Sequence, residues 1–68
     1  MAKAKDILRF LKAKGFVEKR QSGSHLVLQN PQNGDRTVVP VHPGDIPKGL
    51  FHRILKDAGF TIEDFRRY

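Results

Sequence analysis

Residues 16–41 read "FVEKRQSGSHLVLQNPQNGDRTVVPV", and the punctuation of this stretch decides the fold. Leu26 and Leu28 alternate with His25, Val27 and Gln29, the period of two that sends successive side chains to opposite faces of a strand. Ser22-Gly23-Ser24, just before, marks a turn, and Gly23 supplies the positive φ such a turn requires. Asn33-Gly34, just after, is a strong short-range hairpin signal. "RTVVPV" (36–41) is rich in β-branched residues and reads as a further strand. Pro40 cannot donate to a ladder, which places that strand at a sheet edge or kinks it. "FVEKRQ" (16–21) is the remaining strand. Loops this short join antiparallel neighbours, so the three strands form a meander.

Outward on the N-terminal side, residues 4–14 have helical periodicity. Ala4, Ile7, Leu8 and Leu11 form one stripe, with Phe10 at its edge and Lys5, Asp6, Arg9 and Lys12 elsewhere. Gly15 ends this helix. On the C-terminal side, "HPGDIPKG" (42–49) is a connector, and Pro47 suits the first turn of a second helix. Leu50, Phe51, Ile54, Leu55 and Ala58 span about 140° of that helix at 100° per residue, and Gly59 ends it. In "TIEDFRRY" (61–68), Thr61 and Asp64 have the spacing of a capping box for a short third helix. Ile62 and Phe65 are placed to dock on the core.

The fold class is therefore α+β. A three-stranded antiparallel sheet carries two helices on one face, a short C-terminal helix follows, and residues 1–68 make one domain. If Leu26 and Leu28 face the helices, His25, Val27 and Gln29 face outward on the uncovered side.

Composition narrows the partners. Thirteen Lys and Arg against seven Asp and Glu give a net charge of +6 and a pI near 10.2, the electrostatic footprint of a polyanion binder. The absence of cysteine rules out disulfides and thiolate metal sites. It suits a reducing, cytoplasmic setting. Neither a membrane span nor a secretory leader is expected. Phe10, Phe16, Phe51, Phe60 and Phe65 fit core positions, so base reading by aromatic stacking is not expected.

Three histidines are the candidates for chemistry. Imidazole ordinarily titrates near about 6.5 and exchanges protons near neutral pH. His25 follows an open turn and is either an ordinary surface histidine or a proton-transfer group. His42 in "VPVHPG" fits a connector role, and His52 a solvated helix face. The histidines and aspartates match no metal-ligand spacing, and no serine elbow is present. Lys19, Arg20, Ser22, Gly23, Ser24 and Lys48 are the candidate substrate-binding residues around His25.

The α-β-β-β-α order is that of the double-stranded RNA-binding domain. A closer resemblance lies in Lys12-x-x-Gly15-Phe16, Gly23-Ser24-His25, Val39-Pro40-x-His42-Pro43-Gly44 and Gly49-x-x-x-x-Ile54-Leu55-x-x-Ala58-Gly59. In this order they resemble the HicA family of bacterial toxins across nearly the whole chain to Phe60. The resemblance implies a dsRBD-like fold and a metal-independent endoribonuclease, an mRNA interferase without cofactor. It also implies catalysis by the histidine of the Gly-Ser-His turn, here His25, and neutralisation by a HicB-type antitoxin that covers the site. Many members have a second histidine where this chain has Leu26. Since Leu26 alternates inward, the difference leaves the chemistry in place. The competing reading is a non-catalytic RNA-binding module of the same shape. A domain that binds only an acidic protein is a third.

Overall fold

The computed structural model describes residues 2–68. The elements are α1 (Ala4–Ala13), β1 (Val17–Ser22), β2 (His25–Gln29), β3 (Arg36–Pro40), α2 (Lys48–Asp57) and α3 (Ile62–Arg66). The strands form one antiparallel sheet in the order β1-β2-β3, as the meander predicts. Gly23 has φ +59 and no other residue of its turn is left-handed. Ser22 pairs with His25, so Gly23-Ser24 is a two-residue hairpin loop with its positive φ at the first position, the pattern of a II′ turn. Beyond Pro40, the Val41 N–H donates to the Ser24 carbonyl at 2.6 Å and extends the β2–β3 pairing.

Cross-strand partners share a face, so the register sorts the sheet. On the helix side lie the rungs Gln21–Leu26–Val39 and Glu18–Leu28–Thr37. Leu26, Leu28, Thr37 and Val39 are buried there, packed with Ile7, Phe10 and Leu11 of α1 and Ile54 and Leu55 of α2. The Thr37 hydroxyl donates to the Ile54 carbonyl at 2.9 Å and ties α2 to β3 inside this core.

The sheet also contains a feature that alternation does not reveal. A β-bulge between Glu18 and Arg20 takes Lys19 out of the register. It turns Glu18 to the helix side, where it pairs with Lys12, and Val17 to the open side opposite Gln29. All six residues of β1 are exposed.

Three expectations about the helices change. Phe10, placed at the edge of the α1 stripe, is fully buried, whereas Leu8 is only partly so. The reason is α3. Phe10 meets the rings of Phe60, Phe65 and Tyr68 edge-on at 5.0, 5.3 and 5.5 Å, so the C-terminal segment closes over that flank. Leu50, counted in the α2 stripe, is 38% exposed. The stripe is wider than the contact with the sheet, and Leu50 falls on its uncovered margin. Pro47 is the N-cap of α2, one residue before its predicted place.

The candidate site on the open sheet face

The face of the sheet turned away from the helices carries three rungs. They are Ser22–His25–Pro40, Arg20–Val27–Val38 and Val17–Gln29–Arg36. His25 is exposed, as the alternation predicts, and sits on the last rung before the Gly23-Ser24 loop. Backbone pairing on both sides fixes its Cα, while the absence of a side chain on Gly23 leaves its approach open. Nothing lies within 4 Å of where a Gly23 Cβ would stand.

Arg20 lies on the neighbouring strand, diagonal to His25. Diagonal cross-strand positions are about 7–8 Å apart, within reach of a long side chain. Lys19 is the bulged residue and has no partner in the register. The bulge therefore distinguishes the two adjacent cations, and it is Arg20 that shares the histidine's face.

The other flank of His25 comes from α2. His25, Val38 and Pro40 line a groove of about 260 Å³ together with Leu50, Arg53, Ile54 and Asp57. Arg53 and Asp57 form an exposed i,i+4 ion pair at 3.9 Å. Neither was among the candidate site residues. Their place depends on how α2 docks on β3, which no local pattern encodes. An acid and a cation thus stand in the histidine's groove where sequence alone offers no acid to accompany it.

Lys48 is not brought to this groove. It lines a larger one, about 730 Å³, with Phe51, His52, Phe65 and Tyr68 between the helices. His42 lies in the connector beside Lys3, Lys5 and Leu8. His52 is exposed next to Phe51. The three histidines are thus spread over separate surfaces. Among the described residues no cluster of three His, Cys, Asp or Glu side chains is arranged to hold a metal ion. Nor is any helix among them long and apolar enough to cross a membrane.

The fold and the site define a class first: a small basic α+β domain with a three-stranded antiparallel sheet, whose open face presents one histidine, with Arg20 on the same face and Arg53 of α2 in the adjoining groove. The family model of the HicA toxin of bacterial toxin–antitoxin systems matches residues 4–60, from the start of α1 to Phe60, just ahead of the Thr61 cap of α3. The chain belongs to the HicA toxin family. No curated protein matches it.

Proposed function

We propose that this protein is an endoribonuclease that cuts mRNA in the cytoplasm, with His25 moving the proton, and that a HicB-type antitoxin holds it inactive. The observation that carries this reading is the exposed imidazole of His25 on a rigid rung of the open face, flanked by Arg20 and Arg53. RNA carries its own nucleophile. As the bond from the ribose 2′-oxygen to phosphorus forms, the bond from phosphorus to the 5′-oxygen breaks. One proton leaves the 2′-hydroxyl and one reaches the departing oxygen. A single imidazole performs one of these transfers and water the other. Cations nearby stabilise the charge that builds on the phosphoryl oxygens. The chemistry therefore needs no metal-bound hydroxide. Ser22, Gly23 and Ser24 leave room for the substrate beside the ring.

Toxin-family membership supports a cognate antitoxin. The open face suits an acidic protein cover, because Val27 and Val38 share a rung with Arg20 and Val17 shares one with Arg36, and charge complementarity favours such a partner.

The test is cleavage of RNA by purified protein in EDTA. Replacing His25 with Ala is expected to lower the rate by about 10²- to 10⁴-fold, the usual contribution of a positioned proton-transfer group. RNA retention by both proteins with cutting by neither would leave a binding module instead.

A further inference from the structure

We infer that Arg53 is the phosphate-binding cation of the site, contacting the scissile phosphate beside His25. The inference rests on the reading of His25 as the proton-transfer residue and names its electrostatic partner.

Among the described residues, Arg53 is the only Lys or Arg lining the groove that contains His25. Its surroundings there are largely apolar: Val38 and Pro40 from the sheet, Leu50 and Ile54 from α2. The next residue, Ile54, is 1% exposed, and its carbonyl accepts the Thr37 hydroxyl from the same sheet that presents His25. The backbone at Arg53 and the backbone at His25 are thus held in one rigid frame. The guanidinium itself is free to turn, since its side chain is 79% exposed.

Asp57 explains how a cation is kept at the groove before substrate arrives. At 3.9 Å and in solvent, its ion pair with Arg53 is weak. A phosphate that accepts two parallel N–H bonds from the planar guanidinium is the stronger partner. Arg53 therefore passes from carboxylate to phosphate when RNA binds. Lys48, in another groove, is not placed to do this.

Single-turnover RNA cleavage in EDTA tests the assignment with the full chain, comparing Arg53→Gln, Arg53→Lys and Lys56→Gln. Lys56→Gln removes the same charge from the same helix, but Lys56 lines a groove with Phe60 and Thr61 that Arg53 also borders and His25 does not. Loss of one donor to developing charge typically costs about 10²- to 10³-fold, and for an exposed group the expected fall in kcat for Arg53→Gln is about 10- to 100-fold. Arg53→Lys should recover part of it, and Lys56→Gln should affect kcat less than about threefold. Equal losses for Arg53→Gln and Lys56→Gln, or a change in KM alone, would overturn the inference in favour of a diffuse field. Thermal melts confirm that the variants fold. If His25→Ala cuts as fast as the parent, the proton-transfer reading fails. If His25→Ala is inactive while Arg53→Gln is fully active, only the role of Arg53 fails.

Discussion

Gly23 is where one residue's backbone freedom shapes the candidate site. At φ +59, with open space where a side chain would begin, Ala meets no neighbour and suffers only the intrinsic strain of a left-handed conformation. Gly23→Ala is therefore expected to lower stability by about 1–2 kcal/mol, measured by urea unfolding, with the fold retained. Gly23 and the Leu26/Leu28 alternation were legible in the sequence because each is set by its nearest neighbours. Arg20 was legible as one of two adjacent cations, but choosing it over Lys19 required the pairing register. Asp57 escaped, and Arg53 was not singled out from the other cations, for a different reason. Their relation to His25 passes through the docking of α2 on β3, and that docking turns on contacts such as Thr37 with the Ile54 carbonyl.

At the scale of elements, α3 shows how much a short helix owes to its cap. The Thr61 hydroxyl accepts from the Asp64 N–H at 3.1 Å, and the Thr61 N–H donates to the Asp64 carboxylate at 2.9 Å. Thr61→Ala should cost about 1 kcal/mol in a thermal or denaturant melt. Hydrogen bonds from the Thr61 backbone and side chain hold the Asp64 carboxyl below the usual carboxylate range. Because the folded value is depressed, the unfolded chain binds the proton more readily. The stabilisation is present above the ordinary carboxylate pKa and is lost as pH falls through the folded value. The stability gap between the parent and Asp64→Asn should accordingly narrow on acidification below about pH 4, and a gap that widened would contradict the cap. This box was readable from the Thr61–Asp64 spacing. The bulge in β1 was not, because it exists only as a mismatch between two strands.

At the scale of the molecule, everything packs around Phe10. Its ring is fully buried and meets three others edge-on. Phe→Ala in a core typically costs about 3–5 kcal/mol, and a core this small rarely supplies more than about 3–5 kcal/mol in total. Phe10→Ala is therefore expected to be largely unfolded at 37 °C by circular dichroism. The sequence placed Phe10 at the edge of its stripe because a helix read alone does not reveal which flank a later segment will cover. Charge acts over the same scale. If Arg20, Arg36 and Arg53 each meet a phosphate of single-stranded RNA, raising salt from 50 to 200 mM should weaken binding by about 20-fold. Filter binding with the His25→Ala protein, which leaves the RNA intact, would measure it.

The fully exposed first strand has a consequence for the protein at high concentration. Its outer backbone edge is a template on which another molecule's strand can grow. The kink at Lys19 and the charges of Glu18, Lys19 and Arg20 are the devices that blunt such growth. Both devices oppose the stacking of free copies into polymers. Flattening and neutralising that margin would trade solubility for fibrils.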